Sequence, residues 1–166
     1  MEKSSQNPFL PLTPEDPRLS RFAVFSGLGP EEISTLIRLT DTVSFAKGSK
    51  IISSGDEGHC LYLILQGTAL VSAPAPDQAV HFAKLGVGDF LGEISLVDDG
   101  PRSADVTATE DCTLMRLTRI TLGVLAGLQP SAAVSILSAI GSELVKRLRA
   151  TNQKYLDLLH SSAPQG

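Results

Sequence analysis

Residues 88–106 read Gly-Asp-Phe-Leu-Gly-Glu-Ile-Ser-Leu-Val-Asp-Asp-Gly-Pro-Arg-Ser-Ala-Asp-Val. In this stretch the acid Glu93 precedes the base Arg102 across a short apolar turn and a tight loop. A buried charge is costly unless something pairs with it. The stretch therefore predicts a site for a ligand that carries both a phosphate, to pair with the arginine, and a sugar hydroxyl, to pair with the acid.

A second pattern lies upstream, in residues 51–67. It places a Gly-Asp-x-Gly turn, Gly55–Gly58, between two apolar segments and ends in Gly67. The two patterns, in this order, resemble the strand pair and the phosphate-binding cassette of cyclic nucleotide-binding domains of the catabolite activator protein and protein kinase A regulatory subunit type. The resemblance covers about residues 20–160, and two motifs in register are far more specific than a single glycine pattern.

The resemblance implies a ligand site formed by Gly92, Glu93, Ile94, Ser95, Arg102, Ser103 and Ala104. Arg102 offers a planar fork of donors that matches phosphate oxygens, and Ser103 adds a hydroxyl. The N–H groups of the short helix at Ile94–Val97 favour the same anion. Glu93 is implied to accept the ribose 2′-hydroxyl.

Asp56 is implied to brace Arg102 from behind. The alternative is that Asp56 only forms the turn.

Base recognition is implied further along the chain, where residues 146–154 resemble the C-terminal helix of the family. Thr151 and Asn152 match a polar pair that lies against adenine, and one of them could act across a dimer. The alternative is that Thr151 packs between helices and Asn152 faces solvent. Family members that prefer cGMP often carry Thr at the position of Ser103, so the serine favours cAMP and leaves cGMP as the alternative ligand.

The middle of the chain has the pattern of a β protein. Short segments rich in β-forming residues alternate with Gly and Pro, which is typical of a sandwich or barrel. The predicted strands are 42–46, 50–53, 61–66, 68–73, 79–85, 104–108 and 112–117, with a hairpin loop at 73–78. The resemblance implies a mainly β fold with flanking helices: an eight-stranded jelly roll with a short N-terminal helix and a long C-terminal helix.

The flanks are predicted to be helical or loose. Residues 1–20 are rich in Pro, Ser and Asn and are expected to form a flexible leader. The domain is expected over 21–166, with an N-terminal helical part at 21–41, a β roll at 42–118 and C-terminal helices at 119–160. Pro30 suits the first position of a helix, and further helices are predicted at Arg119–Leu128 and from Pro130 to about His160.

The last helix carries an apolar repeat with alternating four- and three-residue steps, which is a heptad seam. Its members are Leu137, Gly141, Leu144, Leu148, Thr151, Tyr155 and Leu158. One interpretation is a helix packed against its own roll. The preferred interpretation is that the seam also pairs two copies of the chain as a homodimer.

Composition excludes several other classes. The 166-residue chain has a net charge of −4, so it carries no general basic field for nucleic acid or an anionic membrane. Lys146, Arg147 and Arg149 form a small basic patch that a solvated helix face explains. Two cysteines and three scattered histidines indicate no metal site or disulfide, so no cofactor is expected beyond the nucleotide ligand.

No targeting segment or membrane span is visible, and a cytoplasmic protein is expected. Six residues follow His160, too few for a DNA-binding helix-turn-helix. The expected function is a non-enzymatic sensor that binds a cyclic purine nucleotide and shifts its C-terminal helix toward an unknown effector protein. The alternatives are a dead pocket on an interaction domain, a small enzyme and a transcription factor.

Overall fold

The computed structural model describes residues 12–73, 80–98 and 100–162. Within them the strands are β1 (Asp41–Phe45), β2 (Lys50–Ile52), β3 (Cys60–Gln66), β4 (Ala69–Ala73), β5 (Val80–Leu85), β6 (Phe90–Leu91), β7 (Asp105–Ala108) and β8 (Cys112–Thr118). The α-helices are α1 (Pro30–Leu39), α2 (Ile94–Val97), α3 (Arg119–Leu128) and α4 (Pro130–Ser162). Two 3-10 turns, Leu19–Arg21 and Ala23–Phe25, precede α1.

The eight strands form two antiparallel four-stranded sheets, in the orders β1-β8-β3-β6 and β2-β7-β4-β5. This arrangement confirms the predicted mainly β roll with flanking helices. Successive strands such as β6 and β7 lie in different sheets, and α2 lies between them along the chain. The segment between β6 and β7, from Gly92 to Ala104, carries Glu93 and Arg102 and therefore passes from one sheet to the other. It is called the crossing segment below.

The two central strands of the first sheet separate two hydrophobic cores. In β3, Leu61, Leu63 and Leu65 point to a core shared with the helices, whereas Ile64 points into the roll. In β8, Met115 points to the core shared with the helices. Because side chains alternate along a strand, burial of both faces requires the nearly continuous apolar runs seen here.

The helices cover the outer face of this sheet. The apolar face of α1 buries Leu36, and its N-terminus is closed by Glu32, whose carboxylate accepts the N–H of Gly29 at 2.8 Å. The first half of α4 buries Ala132, Ala133, Ile136 and Ile140 in the same core. Residues 148–161 of α4 are exposed throughout. The body of the domain thus holds only the first half of the long helix.

The structure differs from the sequence prediction at β6 and at the start of the packed region, and one predicted loop is not tested. The prediction omitted β6, which has two residues and too little sequence to show a period. The packed region begins earlier than the predicted domain start at residue 21, because Leu19 is only 2% exposed in the helical core and Leu12 packs beside it. The predicted hairpin loop at 73–78 lies, after its first residue, outside the described residues.

Candidate ligand-binding site

A cavity of about 90 Å³ opens where the second sheet meets the crossing segment. Its apolar wall comes from the roll and its polar wall from the crossing segment and α4. The lining residues are Ile52, Val71, Leu85, Val106, residues 91–95 and 101–104, and Arg147. Glu93, Ile94, Ser95, Arg102, Ser103 and Ala104, all predicted as site residues, are thus brought together around one cavity, with Gly92 among them.

Two glycines form a slot for the Arg102 guanidinium. A methyl carbon added at Gly58 would lie 2.4 Å from Arg102 Nε, and one added at Gly92 would lie 2.4 Å from Nη1. Real carbon atoms do not approach so closely, so only glycine permits this packing. Gly92 also has a φ of +78°, which glycine adopts without strain. Arg102 is therefore held in place by the backbone on two sides and is 9% exposed.

The described contacts of the Arg102 guanidinium are to neutral acceptors. Nη1 donates to the carbonyl of Gly92 at 3.0 Å, and Nη2 donates to the carbonyl of Cys60 at 3.0 Å. The Cys60 sulfur lies 3.6 Å from Nη2. A guanidinium has five N–H donors, so this network leaves donor capacity and leaves the positive charge without a carboxylate among the described residues. A largely buried cation in this state favours an anion nearby.

Main-chain bonds tie the turn after β2 to the segment before β7. The N–H of Arg102 donates to the carbonyl of Asp56 at 2.8 Å, and the N–H of Gly55 donates to the carbonyl of Arg102 at 2.9 Å. The carboxylate of Asp105 accepts the N–H of Ser54 at 2.8 Å, which lowers the pKa of that carboxyl. Asp56 is exposed and reaches Arg102 through its main chain, so the turn braces the arginine mainly by its backbone.

Glu93, 6% exposed, is paired with a side chain from α4. Nη1 of Arg147 donates to Oε1 of Glu93 at 2.8 Å, and Nη2 donates to the carbonyl of Phe90 at 3.1 Å. The guanidinium carbon also lies 5.1 Å from the centre of the Phe90 ring, a cation–π distance. Arg147 was predicted to belong to a solvated basic face. That interpretation is wrong, because this side chain reaches across to satisfy a buried carboxylate.

The two residues predicted to read the base lie elsewhere. Thr151 is exposed, and its hydroxyl donates to the carbonyl of Arg147 one turn earlier in α4, at 2.9 Å. Asn152 is exposed as well, and neither residue lines the cavity of the single chain. Their role in base recognition stays a prediction, and it would require α4 of a second copy or a movement of α4.

Sequence reasoning missed the apolar wall of the cavity and two residues that hold its polar groups, Gly58 and Arg147. Gly58 belongs to the quoted Gly-Asp-x-Gly turn, so its position was visible although its role against Arg102 was not. Arg147 gave no local signal, because its partner Glu93 lies 54 residues away in the sequence. A basic residue on the inward side of a helix that follows the roll is the only clue the sequence offers.

Known proteins share the sequence features of this site. A family model described as cyclic nucleotide-binding domain matches residues 42–126, just over half of the chain. The chain belongs to this family. The match includes the Gly55–Gly58 turn, the segment from Gly92 to Ala104 and most of α3. The fold and the family thus agree with the resemblance that the two motifs indicated.

Two of the relatives are named as regulators. The CRP-like cAMP-activated global transcriptional regulator of Mycobacterium tuberculosis is 29% identical over 150 residues, which are 90% of this chain and 65% of that protein. A cAMP-dependent protein kinase regulatory subunit of Hypocrea atroviridis is 37% identical over 99 residues, 60% of this chain and 21% of that protein. The crystal structure of the Thermus thermophilus catabolite activator protein matches with a TM-score of 0.72 at 33% identity, covering 83% of this chain and 63% of that one.

The chain spans less than two thirds of the length of each of these relatives. Within the described residues, no helix is long and apolar enough to cross a membrane. The same residues hold no cluster of His, Cys, Asp or Glu side chains that could bind a metal ion. The polar side chains that line the cavity belong to Glu93, Arg102, Arg147, Ser95 and Ser103.

Proposed function

We propose that this chain is a regulatory module that binds cAMP and answers by moving α4. The observation that carries the proposal is Arg102, a cation 9% exposed whose described partners are neutral and which lines a cavity with Glu93. A cyclic phosphate supplies the anion that this arginine lacks. Two of the relatives are named as cAMP-activated and cAMP-dependent, which favours adenine as the base.

The remaining groups of a cyclic nucleotide have partners in the same cavity. Ser103 can donate its hydroxyl to a phosphate oxygen, and Ala104 leaves room beside it. Glu93 can accept the ribose 2′-hydroxyl while it keeps Arg147, because an ionised carboxylate has two oxygens and about four lone-pair sites. The apolar wall formed by Val71 and Leu85 suits the face of the ribose and base.

The size of the cavity indicates how binding becomes a signal. At about 90 Å³ it is smaller than the roughly 300–1,000 Å³ of pockets that hold small-molecule ligands. Arg147 forms one side, so entry of a nucleotide requires this side chain or the crossing segment to shift. Because Arg147 belongs to α4, a nucleotide that displaces this side chain would break the Arg147–Glu93 pair and free the helix to move. The ligand moves this equilibrium only by its differential affinity for the two arrangements.

The exposed half of α4 supports a homodimer as the form that receives the signal. In this half Leu148 and Tyr155 are 61% and 63% exposed, and Leu137 of the same repeat, in the first half, is 40% exposed, although the repeat also places Leu144 against the core. A helix whose apolar seam continues past its own domain gains most by pairing with another helix. In such a pair Thr151 would come to lie near the neighbouring cavity.

Calorimetry with cAMP and cGMP tests the binding function. We compare the wild-type chain with Arg102→Leu and with Arg149→Leu, which removes the same charge from an exposed position of α4. Removing a charge-assisted, bidentate partner of a phosphate should weaken binding at least about a hundredfold, or about 2.7 kcal/mol. Arg149→Leu should bind as the wild type does.

Each other result has a defined meaning. Tighter binding of cGMP than of cAMP would replace the proposed ligand by the alternative within the same site. Absence of heat with both ligands, from a folded wild-type chain, would leave an interaction domain with an inactive pocket. Equal binding by the wild type and Arg102→Leu would place the nucleotide elsewhere. A titration with 2′-deoxy-cAMP tests the contact between Glu93 and the ribose 2′-hydroxyl. Loss of this contact should reduce the binding free energy by about 1–3 kcal/mol.

Sedimentation equilibrium tests the dimer. Leu148→Asp and Tyr155→Asp place a charge in the seam, whereas Ala150→Asp places the same charge off it on the exposed surface. We expect the first two variants to be monomers and the third to remain a dimer. A wild-type chain that sediments as a monomer at tens of micromolar would contradict this part of the proposal.

A further inference from the structure

Arg119, the first residue of α3, contacts the crossing segment at α2. Its Nη2 donates to the main-chain carbonyls of Ser95 at 2.7 Å and Asp98 at 3.0 Å. Both carbonyls belong to the C-terminal end of α2, because Asp98 caps this helix. A guanidinium at this end satisfies carbonyls that have no partner inside the helix and complements the negative end of the helix dipole.

Helix α2 depends on such external support. It has four residues, and an isolated turn of helix is unstable because nucleation fixes several residues for very few hydrogen bonds. At its N-terminal end Glu93 is paired with Arg147 of α4. The two ends of α2 are thus held by two arginines, one from each C-terminal helix.

Arg119 also contacts the chain at the start of β3, which holds the Arg102 guanidinium. Its main-chain N–H donates to the carbonyl of His59 at 3.0 Å, and the next carbonyl, that of Cys60, holds Nη2 of Arg102. On the α2 side, Ser95 packs at Gly58: a methyl carbon added to this glycine would lie 2.3 Å from Ser95 Oγ. Arg119 therefore bonds both to α2 and to His59, the residue before β3, whose first residue, Cys60, holds Arg102.

We propose that Arg119 is a positioning residue that fixes α2 against β3 and so holds Arg102 in its slot, linking the site to α3. Only the cAMP-affinity measurement described below rests on the proposed binding function. Arg119 does not line the cavity, so it acts on the nucleotide through Arg102 and α2. A movement of α3 would then change the position of Arg102 through α2.

The first measurement needs no ligand. Amide hydrogen exchange is compared in the full chain as wild type, Arg119→Gln, Arg119→Lys and Arg149→Gln, the last removing an exposed charge from α4. The reporters are the amides of residues 95, 96, 98 and 102, which are bonded within α2 or to the neighbouring turn. We expect at least tenfold faster exchange in Arg119→Gln, an intermediate effect in Arg119→Lys, which keeps a donor, and no change in Arg149→Gln.

The second measurement is cAMP affinity by calorimetry. Arg119→Gln should bind about tenfold more weakly, equivalent to about 1.4 kcal/mol, and Arg119→Lys should recover most of the loss. A purely structural role would lower the thermal midpoint of unfolding but leave both the exchange at α2 and the affinity of the folded chain unchanged, and that result overturns the proposal.

The two failures are distinguishable. If the wild type binds no cAMP, the proposed function fails, and the exchange at residues 95–102 alone decides the role of Arg119. If Arg119→Gln does not fold, hydrogen exchange in Arg119→Lys decides, and exchange of residues 95, 96 and 98 at the wild-type rate in that variant overturns the proposal.

Discussion

Replacement of Arg147 by glutamine tests whether α4 is held to the site by a charge pair. The change leaves the Glu93 carboxylate, whose side chain is 8% exposed, without its cationic partner. Breaking a fully buried ion pair from one side costs about 3–5 kcal/mol. Because the Arg147 side chain is 35% exposed, water can replace part of the interaction, and we expect a total cost of about 2 kcal/mol. This total includes about 0.5 kcal/mol from the Phe90 ring and a small contribution from the 3.5 Å pair with Glu143.

The control lies one residue earlier. Lys146 pairs with Glu143 at 3.6 Å on the surface, with 71% of its side chain exposed, so Lys146→Gln should cost less than about 0.5 kcal/mol. Both variants change the net charge equally. Urea unfolding is followed by far-ultraviolet circular dichroism, since the chain contains no tryptophan. All samples are measured at one protein concentration, because an oligomer makes apparent stability concentration-dependent.

For a chain of this length, 2 kcal/mol corresponds to a fall of about 4–8 °C in the thermal midpoint. A double-mutant cycle with Glu93→Gln isolates the pair: once the carboxylate is neutral, loss of Arg147 should matter less by at least about 1 kcal/mol. Equal stability of Arg147→Gln and Lys146→Gln, together with an additive cycle, would refute the reasoning.

Three further predictions concern glycine and cysteine positions. Gly58→Ala should destabilise the fold by about 1–3 kcal/mol and weaken cAMP binding, because its methyl group would lie 2.4 Å from Arg102 Nε; calorimetry and urea unfolding measure both. Gly123→Ala, at an exposed position of α3 with open space around it, should instead stabilise the fold by about 0.5–1 kcal/mol. Burial raises the pKa of the Cys112 thiol, so alkylation at pH 8 should modify Cys60 first; faster modification of Cys112 would contradict its buried placement.

Much of the fold could be predicted because its signals are local. The bounds of α3 match the predicted Arg119–Leu128, since Thr118 caps the helix and Pro130 opens the next one. The strands of the roll were predicted from runs bounded by Gly and Pro. β6 was missed because a two-residue strand exists only by pairing with β3, and that pairing is a property of the assembled sheet.

In the site, too, the residues with local sequence signals were predicted and those with distant partners were not. Glu93 and Arg102 were predicted because they are close in sequence and flank one loop. Arg147 and Arg119 were not, because each acts on the crossing segment from a helix that is distant in sequence. Thr151 and Asn152 were assigned by resemblance, and within one chain they lie outside the cavity; their role depends on a partner that no single sequence displays.

The exposed half of α4 has a mechanical consequence. With a rise of 1.5 Å per residue, the helix continues for about 22 Å beyond Arg147 to its last residue. A tilt of only about 10° at Arg147 would carry the tip through about 4 Å, because the displacement grows with the length of this lever arm. If a change at Glu93 tilts the helix as proposed, the far end of α4 would move by about the length of one residue. Shortening or lengthening the arm by whole turns would change this gain and leave the buried site intact.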